Sequence, residues 1–166
     1  RKIRQKAEAG DAGAQCLMSF AAISPEEQIT WLSAAADQNH PEACYLLYFL
    51  GHRDEAWMLK AAALGWADAQ VGLGVYYATL PEPNLAQSRH WYLQAALQGQ
   101  AEAMYEIGFE LLLGEGGPAD PVQALEWLEK SAQADEHTYT DDVRRLLTQL
   151  YTDGTHGIAK DPKRAR

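Results

Sequence analysis

The stretch AEAMYEIGFELLLGEGGPADPVQALEWLEKSAQAD, from Ala101 to Asp135, decides the fold. It reads as a helix, a glycine-rich turn and a second helix centred on Trp127, and nearly all the rest of the chain varies that theme. Four of the five tryptophans (Trp31, Trp57, Trp91 and Trp127) share one neighbourhood. Four and five residues beyond each stands a small pair: Ala35-Ala36, Ala61-Ala62, Ala95-Ala96 and Ser131-Ala132. Eight residues beyond stands Asn39, Gly65, Gly99 or Asp135; Gly and Asn end helices in the left-handed conformation. Twelve residues beyond the first three comes an alanine (Ala43, Ala69, Ala103); after Trp127 the equivalent is Val143, four residues late, which places an insertion near Glu136 to Tyr139.

The second helix of each pair therefore joins the next first helix at constant length, while the loop inside the pair varies. Ser24, Asn84 and Asp120 each precede a tryptophan by seven residues and are good N-caps. Glu27, Gln87 and Gln123 follow three residues later, so a capping box is expected at each. Pro25 and Pro121 fall at the first helical position, where a missing N–H costs nothing. The second copy lacks this device; its loop shrinks to Gly51-His52-Arg53, and distorted geometry is expected there.

Helices are expected over 11–22, 25–37, 41–50, 54–64, 67–78, 85–98, 101–113, 121–134 and 140–151, with no alternating strand pattern in competition. Arg1 to Ala9 reads as the tail of an earlier second helix, and Asp161 to Arg166 opens another. The units are then 1–9, repeat 1 at 10–39, repeat 2 at 40–65, repeat 3 at 66–99, repeat 4 at 100–135 and a partial repeat 5 at 136–166, all within one domain. The chain reads as an internal piece of a longer array.

Ala101, Ala103, Gly108, Gly114, Gly117, Asp120, Ala124, Trp127 and Ala132 resemble the Sel1-like repeat, a relative of the tetratricopeptide repeat. Ala67, Ala69, Leu73, Gly74, Tyr77, Trp91, Ala95, Ala96 and Gly99 match it in the preceding copy. Repeat 1 departs from the pattern with Ser19 at the first-helix glycine position and Ala22 where an aromatic is usual. The resemblance implies an all-α fold, a right-handed α-α superhelix of antiparallel helix pairs. It also implies a non-enzymatic adaptor or scaffold, frequently bacterial. Two alternatives are a bacterial immunity protein that caps a secreted toxin and, with no residue constellation behind it, a cell-wall or peptide hydrolase. A purely structural spacer is a further reading.

The net charge of -9 argues against nucleic-acid binding, which needs basic stripes, and against electrostatic attachment to anionic lipid. It permits a basic partner, although a solvated acidic surface is the commoner meaning. No apolar run is long enough to span a bilayer. Periplasm and cytoplasm both stay open, as does the oligomeric state. The histidines (His40, His52, His90, His137 and His156) are scattered, with no zinc spacing. Gly114-Glu115-Gly116-Gly117 has neither a preceding strand nor a following Lys-Ser/Thr, so it reads as a turn rather than a phosphate loop. No catalytic, cofactor-binding or metal-ligating residue is assigned. Cys16 and Cys44 read as buried, reduced small hydrophobes, with a disulfide as the alternative if they face each other.

One pattern stands above this background. All three phenylalanines lie six residues after the anchor alanine: Phe20, Phe49 and Phe109, with Val75 and Gln149 in the other copies. Four residues earlier on the same helical face come Cys16, Tyr45, Val71, Tyr105 and Arg145. In tetratricopeptide-like solenoids this face lines the concave surface. The resemblance therefore implies a groove of Phe20, Tyr45, Phe49, Val75, Tyr105, Phe109 and Arg145, edged by Glu42, Asp68, Glu102 and Asp142, that takes a segment of another protein. The plainer reading packs these aromatics between the two helices of each pair.

Overall fold

The computed structural model describes residues 1–51, 53–134 and 137–165, and of residues 137–139 the backbone alone. Its secondary structure is helical throughout the described residues: α1 (Lys2–Glu8), α2 (Ala12–Ser19), α3 (Pro25–Asp37), α4 (Pro41–Leu50), α5 (Glu55–Ala63), α6 (Ala67–Thr79), α7 (Leu85–Leu97), α8 (Ala101–Leu113), α9 (Pro121–Gln133) and α10 (His137–Asp153). The chain divides into two compact units, residues 1–72 and 73–166.

The helix starts follow from the caps. Ser24, Asn84 and Asp120 accept the N–H groups of Glu27, Gln87 and Gln123. The return half of the capping box differs from expectation. Glu27 accepts the Ile23 N–H, one residue before the cap, which lowers the Glu27 pKa, and Gln123 donates to the Asp120 side chain. At the second and third of these caps the reason is that the cap residue has already spent its own N–H: Asn84 donates to Tyr77 O and Asp120 to Leu111 O, each a carbonyl of the preceding helix. The second helix end behaves as its residues dictate. Gly10, Asn39, Gly65 and Gly99 all have positive φ, at 93°, 61°, 88° and 94°; Asp135, their counterpart in repeat 4, lies outside the described residues.

The shortened loop of repeat 2 also carries a cap, displaced toward the tryptophan. Asp54, three residues before Trp57, accepts the Ala56 N–H at 3.0 Å, and α5 has nine residues where α7 and α9 have thirteen. The distorted geometry is present at Arg53, with φ at 57°, and at Gly51, whose N–H reaches Leu47 O at 2.7 Å. His52 lies outside the described residues. Two other boundaries shift. Helix α2 stops at Ser19 because the chain unwinds through bonds from Ala21 N to Met18 O and Ala22 N to Ser19 O toward the Ser24 cap. Helix α10 starts at His137, so part of the insertion lengthens that helix. Asp135 and Glu136 lie outside the described residues. At the other end Asp161 accepts the N–H groups of Lys163 and Arg164, a capped first turn.

Small residues set the spacing inside each pair. Ala35, Ala36, Ala61, Ala62, Ala95 and Ala96 are all buried. A Cβ on Gly108 would lie 2.8 Å from Leu128 Cγ and 3.2 Å from Ala124 O, so α8 approaches α9 as only glycine permits. Buried Ser19 takes that position in repeat 1 and returns its hydroxyl to Cys16 O.

The joints between pairs are fastened by side chains that add a second hydrogen bond to helix-end carbonyls already accepting a backbone N–H from Gly10, Asn39 or Gly65. Gln15 Nε2 donates to Ala7 O and Gln70 Nε2 to Ala62 O, both buried and each spanning eight residues. In repeat 2 Cys44 stands where those glutamines stand, and Lys60 Nζ donates to Ala36 O instead, at 2.8 Å. Within the pair of repeat 4, Ser131 Oγ donates to Ala101 O.

Candidate protein-binding faces

The first helices of the pairs present the residues singled out by the phenylalanine pattern, and the two units present them differently. In residues 1–72, Phe20 is 61% exposed and Phe49 50%. Tyr45 meets Phe49 edge-on at 5.0 Å between ring centroids, Tyr48 also meets Phe49 edge-on at 5.0 Å, and Trp66 lies 6.2 Å from Tyr45. These rings form a ridge along α4, with one end closed by the residue after Gly65. Burial, with Asp68 and Tyr48 nearby, raises the Tyr45 pKa, so its hydroxyl stays neutral and available as donor or acceptor. Glu42 is half-buried and Asp68 exposed.

In residues 73–166, Tyr105 and Phe109 are both half-buried and lie stacked, 6.2 Å apart at 28°. Burial, then Glu106 and Asp142, raises the Tyr105 pKa. Val75 is 41% exposed on α6. Arg145 is exposed on α10 and pairs with Asp142 at 3.3 Å, so it faces solvent with a local acid rather than an aromatic. Glu102 is half-buried. Phe49 and Val75 thus stand open on their helices and Phe20 just past the end of α2, while Phe109 shares its area between the helix packing and the surface.

The second unit holds an acidic feature that spacing alone does not mark. Glu110 is 5% exposed; Ser88 Oγ donates to its Oε1 at 3.0 Å, while its buried Oε2 has no hydrogen-bond partner in the protein. Burial pushes its pKa up to about 7, helped by Glu106 and Glu115 and opposed by Ser88 and Arg89. Beside it Arg89 donates to Glu115 O and Pro118 O and so holds the glycine turn. A Cβ on Gly116, at φ 72°, would fall 2.2 Å from Leu85 O, which accounts for the glycine run as a turn pressed against α7.

Cys16 and Cys44 are both free and buried. Burial and the nearby Glu42 push the Cys16 thiol up to about 11, the reverse of what a nucleophile needs. Among the described residues one group brings metal-ligand atoms together: Cys16, His40 and Glu42, within 4.8 Å of one another. No helix among the described residues is long and apolar enough to cross a membrane.

A model of the Sel1 repeat matches residues 29–40, 55–66, 67–100, 101–136 and 149–166. The chain is 32% identical over 140 residues to chitin synthase regulatory factor 3 of Schizosaccharomyces pombe, covering 78% of this chain and 14% of that protein. It is 30% identical over 115 residues to an uncharacterised protein of Neisseria meningitidis serogroup B, covering 66% of this chain and 25% of that one. The chain thus spans a quarter or less of the curated relatives it matches. Among solved structures, a protective antigen of uropathogenic Escherichia coli strains displaying an SLR fold superimposes with a TM-score of 0.81 at 28% identity, over 98% of this chain and 38% of that one. A Sel1 repeat protein from Oxalobacter formigenes gives 0.69 at 24% identity, over 99% and 71%. The fold is accordingly that of the α-solenoids built from such repeats.

Proposed function

This chain belongs to the Sel1 repeat family, and we propose that it works as a protein-binding scaffold whose partner seats on the first-helix faces of its repeats. Proteins of this family generally act as scaffolds for protein–protein interaction, and the open aromatic ridge on α4 is the observation that carries the reading here. Phe49 leaves half its surface to solvent although Tyr45 and Tyr48 both meet it edge-on. Large rings grouped on a surface supply the anchoring area that interfaces use, at small entropic cost.

The partner is a protein segment that offers apolar side chains to the ridge. The exposed Asp68 favours basic residues beside those anchors. In the second unit Val75, Tyr105 and Phe109 make a smaller, flatter contribution, and Arg145 serves as a rim charge.

The test compares binding proteins recovered from the native organism's lysate by the wild-type chain and by a Phe49→Ala, Phe109→Ala double variant of matched circular dichroism. A partner bound by the wild type and lost by the variant supports the face; a partner retained equally moves the contact to the second helices and loops.

A further inference from the structure

We propose that Cys16, His40 and Glu42 form a binding site for a single Zn(II)-class divalent cation at the junction of α2 and α4. Their sulfur, nitrogen and carboxylate oxygen lie within 4.8 Å of one another. That is a donor set for a borderline-soft ion; thiolate sulfur disfavours magnesium and calcium. Tetrahedral zinc, with bonds of about 2.0–2.3 Å, holds its donors about 3.3–3.6 Å apart. The three groups therefore close by roughly an ångström, and His40 and Glu42, both half-buried, have the freedom to do so. Cys16, 2% exposed, is the fixed floor of the site.

Each ligand is placed by ordinary helix construction. Cys16 lies on α2, two residues after the anchor Ala14. His40 is the N-cap of α4 and Glu42 lies in its first turn. The His40 ring is aimed at α2: Nδ1 faces Ala43 N, while Nε2 lies 4.0 Å from where a Gly13 Cβ would stand. Two protein anions and one neutral imidazole balance the charge of the ion, and water or a fourth ligand completes the tetrahedron.

The proton balance is explicit. Binding releases the Cys16 thiol proton to solvent. At His40 the Nδ1 accepts the Ala43 N–H at a long 3.4 Å, which puts the neutral ring's proton on Nε2. Coordination through Nε2 moves that proton to Nδ1, and the cap bond to Ala43 is given up. Metal binding therefore has a signature apart from affinity: a tautomer change at His40 and faster exchange of the Ala43 amide.

The experiment titrates the reduced, metal-free protein with cobalt(II) as the optical probe for zinc. The expected result is one equivalent bound, with a thiolate-to-cobalt charge-transfer band and the strong d–d bands of four-coordinate cobalt, both bleached by zinc. Cys16→Ser removes the charge-transfer band. His40→Asn and Glu42→Gln weaken binding tenfold or more, and Cys44→Ala leaves it unchanged. Asparagine retains an N-cap acceptor, so His40→Asn separates ligand loss from loss of the α4 cap. Nitrogen chemical shifts of His40 on zinc addition report the tautomer. The proposal is overturned if the wild type shows no charge-transfer band, if the band follows Cys44, or if His40→Asn and Glu42→Gln bind as tightly as the wild type.

Discussion

Helices α4 and α8 occupy equivalent places in their repeats and solve the same packing problem in opposite ways. Five residues after its anchor, α8 has Gly108, and α9 comes so close that a Cβ would strike Leu128 and the Ala124 carbonyl. Five residues after its anchor, α4 has Tyr48. The counterpart of Ala124 in repeat 2 is Asp54, the cap itself, so α5 has no first turn to meet that position. A ring stands at the position that glycine holds in α8, and both it and Tyr45 meet Phe49 edge-on at 5.0 Å. Deleting a turn of the second helix thus converts a glycine seam into an aromatic ridge. In α8 the full-length partner helix stays in place, and Phe109 stacks flat on Tyr105, half-buried.

The sharpest way to break the contrast is steric. Gly108→Val forces apart a close-packed helix pair and is expected to cost about 3 kcal/mol, the upper part of the range for overpacking. Tyr48→Val in α4 loses surface area only and should cost about 1 kcal/mol. Urea denaturation of the two variants measures both, and equal losses would sink the account of the missing turn.

Next comes acid. Glu110 has its folded pKa raised from 4.5 to about 7, so the folded chain holds that proton more tightly than the unfolded one. The stabilisation is complete below pH 4.5 and is lost as pH rises through about 7, amounting to on the order of 1–3 kcal/mol. Stability followed across this window should fall with rising pH in the wild type and flatten in Glu110→Gln; a parallel fall in both would remove Glu110 as the cause. The α4 side has no counterpart, since the residue equivalent to Glu110 there is Leu50.

Truncating the rings sharpens the comparison further. Phe109→Ala should destabilise by about 2 kcal/mol and Phe49→Ala by about 1, because Phe49 leaves half its area in water. Their effects on partner binding are expected in the reverse order, with Phe49 the larger, by titration calorimetry once a partner is in hand. Smallest are the caps. Asp120→Ala should cost about 1 kcal/mol, and Asp54→Ala less than about 1, since it ends a helix only nine residues long; thermal midpoints check the order.

Much of this was written in local sequence. Ser24, Asn84 and Asp120 announce helix starts because a cap acts within three residues, and Asn39 and the interhelix glycines announce helix ends for the same reason. The placement of α4 and α8 follows residue for residue. What stayed hidden depends on partners distant along the chain. Lys60 reaches Ala36 and Ser88 reaches Glu110, 24 and 22 residues apart, and no spacing rule links them. Cys16 and the His40–Glu42 pair lie on consecutive first helices, so a search for linear zinc motifs passes over them. The phenylalanine pattern was legible as a face, but its exposure was not, because exposure depends on how much of the neighbouring helix is present. Tyr48 carried that signal, as a bulky residue at a glycine position beside a shortened loop.

The buried glutamines at the joints have one more consequence. Gln15 and Gln70 each reach a carbonyl only eight residues back, so donor and acceptor travel together whenever the intervening stretch is copied. A gene segment from Trp57 to Trp91, which holds both Ala62 and Gln70, brings along the fastening for its own seam, whereas the segment from Trp31 to Trp57 depends on Lys60 beyond it. Arrays of this kind can then lengthen or contract by unequal recombination at such joints with the new junction already closed, and the number of glutamine-fastened repeats becomes a freely variable trait.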